Sequence, residues 1–327
     1  MRLLVFSGII LLFFTSCDKE NGPDPFIPKV IQLSMSENYA NDLFMDLESE
    51  NVKVVGRMNW DLAFSTDPRT STIRINEGSG AMLYAVPGMG INNWNNVIFA
   101  DDQSGWQELY NADTTWFFGA FEKNALGHPD YGWGVYNSQT HDVIGDSVMV
   151  LKPVTGALKK ILIESRRASD NAFVFKYADL DGSNEIQEVV QCSDYLDKNF
   201  IYYSITSGSV IDREPVTEKW DMVFTKYHDE SIPYIVTGVF LNSGVKSACV
   251  VSEDVNIENY TDYTFSESMN VIGSDWKSFD RELFQYVLAE NLVYFVMTVE
   301  GNVFRIVFKS FAGSSTGDLS FELLRIK

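Results

Sequence analysis

Asn59-Trp60-Asp61-Leu62-Ala63-Phe64 returns later in the chain as Lys219-Trp220-Asp221-Met222-Val223-Phe224. In an extended chain successive side chains alternate between faces, so Trp60, Leu62 and Phe64 form one apolar stripe, as do Trp220, Met222 and Phe224, while Asp61 and Asp221 point away. Two strands of one design are expected. A second echo follows each. Ser147-Val148-Met149-Val150 runs through Gly156 to Ile161-Leu162-Ile163, and Leu292-Val293-Tyr294-Phe295 runs through Gly301 to Ile306-Val307-Phe308. Each reads as two strands joined at a glycine turn. A closing strand ends both series, Phe173-Val174-Phe175-Lys176-Tyr177 and Leu319-Ser320-Phe321-Glu322-Leu323.

Three landmarks in one order are the mark of an internal duplication, and elsewhere period-two alternation recurs in short bursts bounded by Gly, Asn, Asp and Ser. Helical periodicity is nearly absent. The expected fold class is all-β: two related antiparallel β-sandwich-like domains, at 30–185 and 186–327, joined between Asp181 and Gln191. The first copy is the longer, and its extra length lies between Asn92 and Asp146, a segment holding Trp94, Trp106, Trp116, Trp133, His128 and His141. Added loops are where binding groups tend to sit.

The N-terminus reads MRLLVFSGIILLFFTSC, in which Arg2 precedes an apolar run that ends in Thr15-Ser16-Cys17. This is a secretory signal peptide at 1–16, too short to span a bilayer as a helix. The run ending directly in Cys resembles a bacterial lipobox, with Phe14 in place of the more usual Leu, so Cys17 is expected to be acylated. Residues 17–29 then form the lipid anchor and a tether stiffened by Pro23, Pro25 and Pro28. The Lys19-acid pair beside the cysteine is similar to the surface-export signal of Bacteroidetes lipoproteins. These features place the protein on the outer membrane, anchored by lipid alone and facing the cell surface.

Composition sets the outer limits. With 327 residues and 45% hydrophobic content the chain has ample material for one or two cores. Lys and Arg number 25 against 45 Asp and Glu, a formal net charge of −20. Such a chain repels a polyanion, which argues against nucleic acid. Three cysteines and three histidines, with no Cys-x-x-Cys pair, leave little for structural zinc. With Cys17 acylated, Cys192 and Cys249 remain either as a disulfide or as two small buried hydrophobes.

The strand Trp-Asp-x-x-Phe, the terminal hairpin Val293–Ser310 and the Phe-bearing closing strand resemble the HmuY family of haem-binding lipoproteins. The match covers Trp220–Tyr227, Val293–Ser310 and Leu319–Leu323, and more loosely Trp60–Phe64, Ser147–Glu164 and Phe173–Gly182. The resemblance implies tandem HmuY-like β domains, haem as cargo, and delivery to a TonB-dependent outer-membrane receptor. It also implies two axial His or Met ligands between the Trp-Asp strand and the terminal hairpin, but no motif marks them.

Chemistry selects the candidates. A ferric porphyrin calls for imidazole nitrogen or thioether sulfur within an apolar cleft. His128, His141 and Met89 are the axial candidates, with Met82 and His228 as further donors and Trp116, Tyr131 and Trp133 as the aromatic wall. Gly127-His128-Pro129-Asp130 and Thr140-His141-Asp142 have equally the composition of exposed turns, and methionine commonly fills core gaps. Asp179-Leu180-Asp181-Gly182-Ser183-Asn184-Glu185 has carboxylates spaced for calcium but lacks the full twelve-residue loop pattern and reads as a solvated turn. No His-Glu-x-x-His, Gly-x-Ser-x-Gly or Gly-Lys-Ser motif occurs. A non-catalytic binding module follows. Its rival is a surface lipoprotein binding carbohydrate or protein in the service of nutrient uptake, since the clustered tryptophans could stack on sugars or dock a partner.

Overall fold

The computed structural model describes residues 26–100, 103–232 and 234–327. The expected signal peptide, the acylated Cys17 and most of the tether lie outside them. Strands dominate, and helical turns are confined to short 3₁₀ segments. The first strands are β1 (Lys29–Ser34), β2 (Asn41–Met45), β3 (Val52–Gly56), β4 (Leu62–Ser65), β5 (Ile73–Ile75), β6 (Met82–Gly90) and β7 (Gln107–Leu109). Then come β8 (Gly134–Tyr136), β9 (Val143–Gly145), β10 (Ser147–Lys152), β11 (Lys159–Arg167), β12 (Ala172–Asp179), β13 (Ile186–Gln191), β14 (Phe200–Ser204) and β15 (Ser209–Ile211). The chain closes with β16 (Met222–His228), β17 (Ile235–Leu241), β18 (Lys246–Val251), β19 (Lys277–Asp280), β20 (Gln285–Leu288), β21 (Leu292–Met297), β22 (Val303–Phe311) and β23 (Asp318–Arg325).

The glycine turns behave as the echo requires. Gly156 and Gly301 take φ of 100° and 85°, open to glycine at no steric cost, and they join β10 to β11 and β21 to β22 in antiparallel register. Both hairpins feed the same plan. One large sheet runs β13-β12-β11-β10-β6-β7 and carries β8 and β9 at the side of β11; another runs β1-β23-β22-β21-β18. The register shifts at matching places, between Ile163 and Ser165 in β11 and between Phe308 and Ser310 in β22.

Two four-stranded sheets lie inside these, β15-β14-β4-β5 and β17-β16-β2-β3. Phe64, Phe173, Phe175, Tyr203 and Trp133 fill the core between the first large sheet and its four-stranded partner. Met222, Phe224, Phe321, Tyr294 and Trp276 do the same in the second sandwich. The pairings interleave the two expected domains. β4 is bonded to β14, and β16 to β2, so each Trp-Asp segment leads into a strand whose neighbour comes from the far side of the Asp181–Gln191 junction. Likewise β1 pairs with β23 and β13 with β12.

Trp60 and Trp220 leave the stripe that strict alternation predicts. Trp60 meets Tyr202 edge-on at 4.9 Å and Trp220 meets Phe44 at 5.0 Å, in clusters with Ala63 and Val223 rather than with Leu62 and Met222. The cause is the aspartate between. β4 and β16 begin only at Leu62 and Met222, and a bend at each aspartate resets the face. Asp61 is buried and accepts hydrogen bonds from the Val154 and Ile205 amides, both at 2.7 Å, while Asp221 accepts from the Leu47 amide at 2.7 Å. The tryptophans therefore face the seam between the two inner sheets.

That seam is close. A Cβ on Gly78 would stand 2.1 Å from the Lys226 carbonyl oxygen of β16, and backbone cannot yield as a side-chain tip can. Gly78→Ala is expected to cost about 1–3 kcal/mol, read as a lower urea midpoint. Elsewhere, Cys192 is buried in the first core and Cys249 is exposed on β18; both are free thiols. The Asp179–Glu185 stretch is a turn in which Asp179 pairs with Lys159 at 2.5 Å and accepts from Asn184 at 2.6 Å. Among the described residues no helix is long and apolar enough to cross a membrane.

Candidate functional site

The β8–β9 hairpin carries His141 in its turn. Asn137 holds that turn shut, its amide donating to the Asp142 carbonyl and its carbonyl accepting from the His141 amide, each at 2.8 Å. His141 takes a left-handed φ of 64°, which aims its ring back along β8, where Nδ1 lies 2.5 Å from the Tyr136 hydroxyl. His128 comes from the loop before β8. Its loop is tied to β8 by the Tyr136 amide donating to the Pro129 carbonyl at 2.8 Å, and Asp130 caps Gly132 at 2.7 Å. The His128 ring is 5.0 Å from Tyr136 and 6.5 Å from Tyr131, and the His141 ring is 6.0 Å from Tyr136.

Both histidines thus lie against Tyr136, with Tyr131 beside His128, on an exposed edge of the large sheet. Tyr136 was not among the residues singled out from sequence; its place between the histidines depends on the hairpin register, Tyr136 opposite Val143. The chemistry available is that of imidazole ligation. With the proton on Nδ1 of His141, the hydrogen bond to Tyr136 leaves the Nε2 lone pair free for a metal, the usual way in which a partner fixes the tautomer of a ligating histidine.

The other candidates lie elsewhere. Met89 packs with Trp94, Trp106, Val148 and Leu162 on the outer face of the same sheet, and the Met82 sulfur meets the Tyr84 hydroxyl at 3.1 Å. Trp133 is fully buried in the first core and donates to Glu122 at 3.1 Å. Trp116 sits at the seam, donating to the Leu241 carbonyl at 2.7 Å with the Arg74 guanidinium 5.3 Å above its ring. His228 stacks on Tyr110 with centroids 3.8 Å apart, and burial lowers its pKa.

The seam also holds a feature that the sequence did not disclose. Asp42 accepts from Arg57 at 2.9 Å and from Arg213 at 2.7 Å, both out of solvent, and from the half-buried Thr225 at 2.9 Å. Beside this cluster is a cavity of about 70 Å³, walled by Trp60, Trp116, Tyr202, Arg213, Trp220 and Tyr227 among others. Burial pushes Glu77 and Glu214, which also line it, up to about 7. The one hint in the sequence was Ile73-Arg74-Ile75, a cation alternating with two core residues. An adjoining cleft of about 580 Å³ shares Trp116, Asn199 and Phe200 with the cavity and is lined by neither histidine nor methionine. A drug-sized ligand takes a pocket of roughly 300–1,000 Å³. The inner cavity therefore excludes a porphyrin, and the cleft offers it no axial donor.

No family model and no curated protein matches the chain. Three solved structures bear a distant likeness. Apo PinO from Porphyromonas gingivitis aligns over 92% of this chain and 98% of its own, at 9% identity and a TM-score of 0.29. A putative HmuY-like heme-binding protein from Bacteroides vulgatus aligns over 48% of this chain and 92% of its own, at 14% identity and a TM-score of 0.22. The apo HmuY analogue of Tannerella forsythia aligns over 46% and 88%, at 12% identity and a TM-score of 0.21.

Proposed function

We propose that this chain is an outer-membrane lipoprotein, anchored at Cys17, that captures haem without transforming it and passes it to a TonB-dependent receptor. One observation carries the reading: His128 and His141, chosen for their donor chemistry and their place in the segment the resemblance implies, both lie against Tyr136 at an exposed edge. The donor set present fits the group. Imidazole is the axial donor that ferric porphyrin takes readily, Tyr136 can hold His141 in the ligating tautomer, and Tyr131 adds an aromatic ring against His128. Met89, within an apolar cluster of its own, is the weaker candidate.

Hemin titration of the purified protein tests this. A sharpened Soret band near about 400 nm is expected, with affinity falling at least tenfold in His128→Ala and in His141→Ala, and lost in the double variant; Met89→Ala should leave it unchanged. An unaltered spectrum in the double variant would refute the site. Sugar binding with no spectral response would favour the carbohydrate-binding rival.

A further inference from the structure

We infer that the cavity at the seam of the two inner sheets binds a small anion of formate or nitrate size. The cavity is lined by Trp60, Trp220 and Arg213, and Nε1 of Trp60, Nε1 of Trp220 and Nε of Arg213 are buried with no hydrogen-bond partner in the protein. Trp220 and Arg213 are 3% and 4% exposed, so bulk water does not satisfy them. A buried donor left unmet costs about 1–3 kcal/mol, and three around one cavity call for an occupant.

The neighbouring carboxylates each accept two or three hydrogen bonds from the protein already. Asp42 is shared by Arg57, Arg213 and Thr225. Glu214 accepts from the Asn199 amide at 2.9 Å and the Tyr202 hydroxyl at 2.8 Å. Glu77 accepts from the Asn111 amide at 3.1 Å and the His228 amide at 3.2 Å. The free valences named here are donors, so a cation is disfavoured and an apolar guest would leave them unpaired. Water could accept from each, but every water brings two protons that must reach the remaining lone pairs of carboxylates already bonded to the protein. An anion brings none.

Size narrows the class. At about 10–15 Å³ for each water-sized position, a cavity of about 70 Å³ holds roughly five, enough for formate, nitrate or acetate and too little for a sugar. The arrangement also accounts for the two tryptophans. Neither Trp60 nor Trp220 belongs to a sandwich core, yet both line the same cavity and both carry a buried indole N–H without a partner. This site stands apart from the haem reading and survives its failure.

The test is an NMR titration of the intact protein with ¹⁵N-labelled tryptophan at constant ionic strength and pH 6, using sodium formate with sodium gluconate as the ion too large to enter. Trp60→Phe and Trp220→Phe keep the ring, delete the N–H and assign the two resonances. Formate is expected to shift those two indole signals saturably, with a smaller response from Trp116 on the same wall, while Trp94, Trp106, Trp133 and Trp276 stay put, and to raise the melting temperature by about 4 °C at a hundredfold excess over its Kd. Benzoate tells the sources apart. Competition with formate would mean that the carboxylate end of a larger molecule enters from the neighbouring cleft, and no competition would mean a free ion. If neither indole responds, or if all seven drift alike with formate and gluconate, the chamber holds water only and the inference fails. Should one Phe variant not fold, the wild-type titration with the other still decides.

Discussion

Asp42→Ala is expected to destabilise the protein by about 3–5 kcal/mol, the usual penalty for breaking a buried ion pair from one side. Asp42 neutralises two guanidiniums, Arg57 and Arg213, and all three side chains are 4% exposed. Its removal strands two charges where water cannot reach them and leaves the Thr225 hydroxyl without its 2.9 Å acceptor. The loss is also architectural. Asp42 belongs to β2 while Arg213 follows β15, so this pair joins the two inner sheets. Urea unfolding with linear extrapolation measures the change. A loss below about 1 kcal/mol would mean that the guanidiniums find other acceptors, contrary to the seam as described.

Asp221→Asn is expected to act in the opposite direction, and only at high pH. Burial, aided by Asp46, Glu300 and Glu48, raises the Asp221 pKa from 3.8 to about 7. Unfolded, an aspartate titrates near its ordinary value of about 3.9. Between those two pH values the folded state holds the extra proton, so stability falls as pH rises, and above about pH 7 the penalty is complete. A rise of roughly three pKa units corresponds to about 4 kcal/mol. The asparagine oxygen can still accept from the Leu47 amide at the 2.7 Å position. Thermal or urea unfolding at pH 4 should show little difference from wild type, and at pH 8 a gain approaching that size. Glu77, Glu122 and Glu214, raised by burial to about 7, 8 and 7, push the same way, so the whole protein should be most stable in mildly acid solution. An equal effect of Asp221→Asn at both pH values would contradict the assignment.

Legibility in the sequence followed distance along the chain. The hairpins at Gly156 and Gly301 and the closing strands at Phe173 and Leu319 were readable because alternation and turn residues are local signals. The facing of Trp60 and Trp220 was misread for a reason equally local in appearance: a single bend at Asp61 or Asp221, held by amides from remote segments, shifts the alternation by one. His128 and His141 were legible as donors through their chemistry. Their meeting at Tyr136 was not, since it depends on how β8 pairs with β9 and on where the loop before Pro129 is tied.

The sequence by itself determined the strands, their turns, the all-β class and the acidic balance of the chain. Tertiary structure alone decided that β14 would lie against β4 and β2 against β16, and that N–H groups of Trp60, Trp220 and Arg213 would be buried without a partner at the seam. The reason is physical. A strand advertises its own periodicity through side chains a few residues apart, but the choice of neighbour is made by shape and burial between segments more than a hundred residues apart, and that complementarity exists only once the sheets have met.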